Sequence, residues 1–457
     1  MQSSSFSMTG DSYMKSLNIK LSLLFFCTLI AFIAVSSITP PFMSPDEPHH
    51  YSRAYLLSNG LITLDNKDGM KSGGYIDNSL YESFLIFNNG VVEKVRSSMI
   101  SDMAGKYWGN ERHYKEIPNT AFYFPAVYIP QSIGIVIGRI LNLSIFDTYQ
   151  LSRLLAFLSS MAIIFYANSV YRIPTLALGV MVMPMMIFQF SAATIDGVTT
   201  ALSVLMMCYF TKTVLHKETS NKDLIIISAI AFVLVSSRAN LIPILLLPIV
   251  AAFYSQCKWR MVPPFLAAFI SLAWIAVTIS MTKDGGVHHP GMTHSQVIAH
   301  YIVNPTEIFR VIYNTISNYR LSSFYYKSFI GTLGWLDIWM PHYLYLMYFI
   351  AIIALIAIGF SVNEIKRNST LAVSIIITSA GSVLLIFCAL LVQYSPFPTN
   401  VIIGIQGRYF IIPAIIFAFL LINDNMKKLV TSYVIVIILS LLSLSAMIPA
   451  IINRYYM

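Results

Sequence analysis

Residues 121–141 read AFYFPAVYIPQSIGIVIGRIL, and whether this run crosses a membrane sets the direction of everything after it. It is apolar and about as long as a span. Pro125 and Pro130, however, break its helical periodicity. Other apolar runs cover about 17–38, 150–170, 174–191, 198–215, 223–237, 240–256, 261–281, 342–360, 370–392, 409–422 and 429–449. With 121–141 left out and the N-terminus inside, the inner ends collect Lys15, Lys20, Arg172, Lys212, Lys217, Lys222, Lys258, Arg260, Lys366, Arg367, Lys427 and Lys428. Counted as a span, 121–141 turns most of these outward, against the positive-inside rule. The expectation is therefore an all-α polytopic membrane protein of about eleven spans (10–13), with 121–141 lying on the outer side.

Composition agrees. The chain is 56% hydrophobic and only 11% charged, where a soluble domain carries about 25% charge. The net charge of +9 is read as topology rather than nucleic-acid binding, since no nucleic-acid motif is present. Cys27, Cys208, Cys257 and Cys388 lie in or beside apolar runs, which argues for packing rather than a disulfide framework. The first run is long for a signal peptide and lacks a small-x-small cleavage site, so it reads as a retained span. Residues 1–16 read as a cytoplasmic lead and 17–457 as one transmembrane domain. Two long polar segments, 39–149 and 283–341, face the outer side. Loops of that length are usually functional, and their aromatics argue for order.

Where the first run ends, residues 40–55 read PPFMSPDEPHHYSRAY. Ser44-Pro45-Asp46-Glu47 suits a helix start, with Ser44 as cap, Pro45 first, and Glu47 closing a capping box. Capping does not account for His49, His50 and Arg53. On a helix from Pro45, positions 46, 49, 50 and 53 share one face. This presents Asp46 as general base or metal ligand (magnesium or manganese), with Glu47 sharing either role.

The stretch PPFMSPDEPHHYSRAYLLSNG resembles the signature that follows the first span in a family of bacterial multi-spanning proteins known only as predicted membrane proteins. That family is related to the type C (GT-C) glycosyltransferase superfamily. Further patches agree in order: IPNTAFYFPAVYIPQSIG (117–134), SAATIDGVTTAL (191–202), SRANLIPILLLP (237–248), GTLGWLDIWMP (331–341) and GIQGRYFIIP (404–413). The resemblance implies a helical bundle with a large, partly helical first external loop. It implies inverting transfer of a sugar from a polyprenyl-phosphate carrier such as undecaprenyl phosphate, on the periplasmic face of a bacterial inner membrane. The expected acceptor is a cell-surface glycan or lipid-linked glycan; a composition rich in Ile, Asn, Ser and Lys associates weakly with envelope loci such as lipopolysaccharide O-antigen. Asp46 matches the acidic residue of the superfamily's first external loop, and Asp196 in TIDG matches a second, although Asp-Gly is also a common turn.

Arg408 in QGRYF and Arg238 in SSRAN are candidates for the carrier phosphate, because a guanidinium fork binds phosphate well; snorkelling is the plainer alternative. His50 and Arg53 join them as substrate-binding candidates. Gln406 and Tyr409 are placed to orient sugar hydroxyls. Trp335 and Asp337 either line the acceptor side or belong to an interfacial aromatic belt. His288, His289 and His294 lack metal-ligand spacing and read as a solvated loop. No phosphate-binding glycine loop or dinucleotide fingerprint is present, which disfavours a nucleotide-sugar donor. Two rivals remain. One is a polysaccharide polymerase or ligase, expected to depend on external Arg and His. The other is a lipid-linked sugar transporter or flippase, expected to show mid-membrane charges and repeats.

Overall fold

In the computed structural model the described residues are 23–24, 26–88, 92, 94–283, 292, 294–421 and 426–457. The first helix among the described residues is α1 (Phe26–Ile38). A unit of short elements follows, built from α2 (Glu47–Ser58), β1 (Gly73–Asp77), α3 (Asn78–Ile86), α4 (Ser97–Ala104), β2 (Arg112–Glu116) and α5 (Ile129–Ile140). The bundle continues with α6 (Ile145–Val170), α7 (Thr175–Met181), α8 (Pro184–Phe190), α9 (Asp196–His216), α10 (Asn221–Ser237), α11 (Leu246–Ala252) and α12 (Val262–Met281). Next come α13 (His294–Val303), α14 (Pro305–Ser317), α15 (Tyr319–Gly331), β3 (Thr332–Leu333) and β4 (Ile338–Trp339). The chain closes with α16 (His342–Gly359), α17 (Val362–Arg367), α18 (Ser369–Gln393), α19 (Ile411–Ala418) and α20 (Met426–Tyr455).

Among the described residues six helices are long and apolar enough to cross a membrane: α6, α9, α12, α16, α18 and residues Lys428–Tyr455 of α20. The expected count of about eleven is thus not reached by full-length helices, and proline accounts for much of the shortfall. The run 174–191 divides into α7 and α8 at Pro184, which occupies the first turn of the second piece. The run 240–256 opens as a 3-10 helix, Ala239–Leu245, with Pro243 inside it. The run 409–422 begins with a 3-10 turn, Gly407–Phe410, and leaves α19 only eight residues. Such broken segments are tolerated where neighbouring helices bury them, and every residue of α7 and α8 except Thr175 is buried.

Residues 121–141 are not one helix. A 3-10 turn, Pro125–Tyr128, precedes α5. The twelve residues of α5 rise only about 18 Å, short of the roughly 30 Å hydrocarbon core. α5 packs along α6 and α2. Ser132 Oγ donates to the Ala54 carbonyl of α2 (2.8 Å), and Gln131 Nε2 donates to the Thr194 carbonyl (2.8 Å). This unit is thereby fastened to the loop that leads into α9. The expected lead, residues 1–16, lies outside the described residues, as do His288 and His289 and the side chain of His294.

A buried ion pair fixes where α1 stops. Arg153 on α6 is 1% exposed and donates to the carbonyls of Ser36, Thr39 and Pro40 at 3.3–3.5 Å. Helix C-termini leave such carbonyls without intrahelical partners, and the guanidinium satisfies them. Its counter-ion is Glu47, at 3.4 Å from both Nε and a terminal nitrogen.

Candidate functional site

Asp46 sits at the start of α2 with φ 63°, in the left-handed region. A non-glycine residue there costs of order 1 kcal/mol, and such outliers gather at functional sites. Its neighbours hold it there. Glu47 is fully buried, and its Oε1 accepts from the Tyr149 hydroxyl (2.8 Å) and the Ala193 amide (2.7 Å). Its Oε2 accepts from the Ser44 amide at 3.2 Å. That last bond is the return arm of the expected capping box. The forward arm is missing: Ser44 Oγ has no hydrogen-bond partner, and the helix begins at Glu47 rather than Pro45. One carboxylate therefore ties the end of α1, α6 and the loop before α9 together, while the preceding carboxylate pairs with Arg408, which lines a pocket.

Four charged groups meet at that pocket, three of them lining it and Asp46 reaching it through Arg408. Arg408 donates to Asp46 Oδ2 at 2.8 Å, and another of its terminal nitrogens lies 3.7 Å from Asp196 Oδ2. Arg238 is ion-paired with Asp196 Oδ1. Each residue stands at an element's end: Asp46 at the start of α2, Asp196 opening α9, Arg238 closing α10, and Arg408 in the turn before α19. Helix ends bring these charges together from segments up to 362 positions apart in sequence. Arg408 is also held by Gln406 Oε1 (2.7 Å) and lies 5.5 Å from the centre of the Tyr409 ring. The turn is seated closely. A Cβ at Gly407 would collide with the backbone of Tyr325 and Phe329 on α15, and the Gly407 amide donates to Ser328 Oγ at 2.8 Å.

The pocket is small, with a cavity volume of about 10 Å³, and is lined by Asp196, Thr200, Arg238, Asn240, Arg408 and Tyr409, among others. Arg238 Nε is buried in it without a hydrogen-bond partner. On the other side of the same turn, Phe410 lines a lateral groove of about 400 Å³ whose walls include Tyr325, Phe329, Ile356, Val383 and Phe417. Successive residues of a 3-10 turn point about 120° apart, so one turn presents a cation to the pocket and a phenyl ring to the groove.

The first influence on Asp46 is burial, which opposes ionisation. Arg408 beside it outweighs that and holds the carboxyl below its usual range. His50 is pushed down to about 3 by burial, against the pull of Asp46, so it is neutral at ordinary pH. Its Nδ1 is 2.8 Å from the Tyr128 hydroxyl, and its ring stacks on Tyr123 at 5.6 Å.

Of the residues expected from sequence, Asp46, His50, Asp196, Arg238, Arg408 and Tyr409 gather here. Others do not. Glu47, expected to share the base or metal role, is enclosed with Arg153. Arg53 does not continue a polar stripe with Asp46. It is fully buried and donates to the Leu61 carbonyl (3.1 Å) and the Ile62 carbonyl, clasping the loop after α2. Trp335 donates to the Phe42 carbonyl at 3.4 Å, and Asp337 pairs with Arg454 at 2.7 Å. Those two pin the β3–β4 turn to the end of α20 and to the loop that carries Asp46. Among the described residues no three His, Cys, Asp or Glu side chains form a set able to hold a metal ion.

Several contributors were not read from the sequence. Tyr123, Tyr128 and Asn240 sit in the 117–134 and 237–248 patches, but nothing in their local pattern marks them. Arg153 had a usable signal, since a cation inside an apolar run is costly and needs a partner.

These features define a polytopic helical membrane protein with a polar, charge-lined pocket where several helices end. The chain belongs to the family described as predicted membrane protein (DUF2142), whose family model matches residues 29–419. No curated protein and no solved structure matches it.

Proposed function

We propose that this protein is a membrane glycosyltransferase. It moves a sugar from a polyprenyl-phosphate carrier to a cell-surface glycan on the outer face of a bacterial inner membrane. The observation that carries the reading is the two-sided turn at Gly407–Phe410. A pocket with two guanidiniums, one of whose donors is unsatisfied, adjoins an apolar lateral groove, the pairing an amphiphile with an anionic head requires. The resemblance of the sequence patches to the GT-C superfamily supports the same conclusion. Charges clustered where helices end, rather than at their middles, favour it over a transporter.

In this mechanism the acceptor hydroxyl oxygen attacks the anomeric carbon. The bond from that carbon to the phosphate oxygen breaks, and the polyprenyl phosphate leaves. Asp46, held ionised, takes the hydroxyl proton as general base. Arg238 and Arg408 stabilise the negative charge that builds on the leaving phosphate. Asp196 holds the two guanidiniums in place. One displacement inverts the anomeric configuration. The two arginines supply the positive charge at the leaving group, so no step is routed through a divalent cation.

The test is transfer of label from a radiolabelled pool of polyprenyl-phosphate sugars by the purified full chain in nanodiscs containing membrane glycans. Arg238→Gln is expected to raise KM for the donor about 10- to 100-fold, the loss of a charge-assisted contact of about 1.5–3 kcal/mol. Absence of any label transfer from every polyprenyl-phosphate sugar in the pool contradicts the reading.

A further inference from the structure

The thirteen residues of α14 divide the helix into three sectors. Val311 and Thr315 are buried on the first, and the Ile402 amide donates to Thr315 Oγ1 at 2.9 Å. At about 100° per residue, Phe309, Tyr313 and Ile316 fall together on the far side, and they are 66%, 70% and 52% exposed. Half-buried Ile312 joins these two apolar sectors along one edge. Glu307, Arg310 and Asn314 occupy the remaining sector, where Glu307 pairs with His300 at 2.9 Å and lies 3.9 Å from Arg310. Ile302 and Val303 at the end of α13, and Tyr319 at the start of α15, add to the exposed apolar surface. An apolar face of this kind with a charged face beside it is the pattern of a helix lying in the plane of a membrane surface.

The level of α14 in the bundle identifies what covers that face. One buried cluster joins Val297 and Tyr301 of α13, Val311 of α14 and Tyr325 of α15 to Phe387 and Leu391, in the last two turns of α18. The 25 residues of α18 rise about 37 Å, more than the roughly 30 Å hydrocarbon core. Trp339 and Tyr343 are exposed where α16 begins, and Tyr394 where α18 ends, the positions of an interfacial aromatic belt. Tyr326 of α15 donates to the Tyr345 carbonyl near the start of α16 at 2.6 Å. From that level exposed apolar side chains continue along the spans, Leu346, Ile350 and Ile353 on α16 and Ile377 and Leu384 on α18. The exposed face of α14 thus stands where the lipid-facing surface of the spanning helices meets the head-group region.

We propose that α14 is seated in the bilayer interface of the leaflet on the Asp46 side. Phe309, Tyr313 and Ile316 enter the upper acyl chains, and Arg310 stays among the head groups. The seat holds α15, whose Tyr325, Tyr326 and Phe329 wall the lateral groove, at the level of the lipid. It is independent of the transfer reaction and stands whether or not the protein transfers sugars.

The test is photo-crosslinking of the wild-type full chain in nanodiscs of phosphatidylglycerol and phosphatidylcholine, followed by digestion and mass spectrometry. One preparation contains phosphatidylcholine with a diazirine on the acyl carbons nearest the glycerol, the other with the diazirine at the chain terminus. The first probe is expected to modify Phe309, Tyr313 and Ile316, and the second to favour Ile350 and Ile353 of α16 over all three. Absence of adducts on 305–319 with both probes, while α16 is labelled, overturns the proposal, whether the face then lies in water or against a second copy. Equal labelling of α14 by the two probes puts the helix in the hydrocarbon core and also overturns it. Phe309→Asp with Tyr313→Asp leaves the packed Val311–Thr315 face intact. It is expected to lose the α14 adducts and keep those on α16; unchanged α14 adducts show lipid contact through another face and contradict the proposal.

Discussion

Asp46 and Glu47 are adjacent carboxylates with opposite fates, and the contrast separates the two jobs this region performs. Glu47 is enclosed, with both oxygens taken by Arg153, Tyr149 and two backbone amides. Asp46 keeps 36% of its side chain exposed and meets a single arginine at 2.8 Å. One carboxylate holds helix ends together; the other is presented to whatever enters. A left-handed residue at the start of α2 achieves this, because it directs consecutive side chains to different compartments.

The largest effect is expected at the enclosed carboxylate. Glu47→Gln leaves Arg153 buried without its counter-ion, which typically costs 3–5 kcal/mol. Yield of monodisperse protein and melting temperature are expected to fall together. Replacing both partners, Glu47→Leu with Arg153→Met, is expected to recover part of that loss. A single Glu47→Gln variant that melts like wild type removes the contrast.

The pH dependence of transfer sharpens the other side. The carboxyl of Asp46 is held below its usual range, so the base is ionised throughout neutral and mildly acidic pH. Its protonation is expected to cut the rate only as pH falls below the ordinary carboxylate pKa of about 4. His50, neutral above about 3, is expected to contribute no limb near pH 6.5. A limb at pH 6–7 that disappears in His50→Gln would show that the imidazole titrates and that the account of the pocket is wrong.

A smaller effect concerns Lys115 on β2, whose amine is buried without a hydrogen bond, 3.4 Å from the centre of the Phe84 ring. Burial pushes it down to about 7. Between pH 7 and about 10.5 the unfolded chain carries this proton and the folded chain does not. Stability is therefore expected to rise with pH across that window, and Lys115→Met to flatten the rise. Melting curves from pH 7 to 10 measure it. Least affected is Trp335→Phe, which loses one long hydrogen bond at 3.4 Å. It is expected to cost about 1 kcal/mol, read as a small drop in melting temperature with donor KM unchanged.

The order of the apolar runs was legible from composition and periodicity. So was the exclusion of 121–141, because two prolines and the lysine and arginine distribution pointed the same way. The interruptions were less legible. Pro184 and Pro243 announce breaks, but whether a broken segment is buried depends on neighbours that a sequence does not place. At the site, Asp46, Asp196, Arg238 and Arg408 were readable as charges set where apolar runs end. The separation of Asp46 from Glu47 was not, because it turns on one left-handed backbone angle. Arg53 misled for a related reason. Helical spacing put it with Asp46, but the helix starts two residues later than expected, and the guanidinium found carbonyls at Leu61 and Ile62 instead.

The most direct measurement is Asp46→Asn, assayed for sugar transfer in membranes supplied with radiolabelled polyprenyl-phosphate sugars, with the melting temperature of the purified variant taken in parallel. The account predicts transfer reduced by about 10²–10⁴, the usual contribution of a general base, and a melting temperature close to wild type. Normal transfer by Asp46→Asn would contradict it, and would leave both carboxylates with structural roles only.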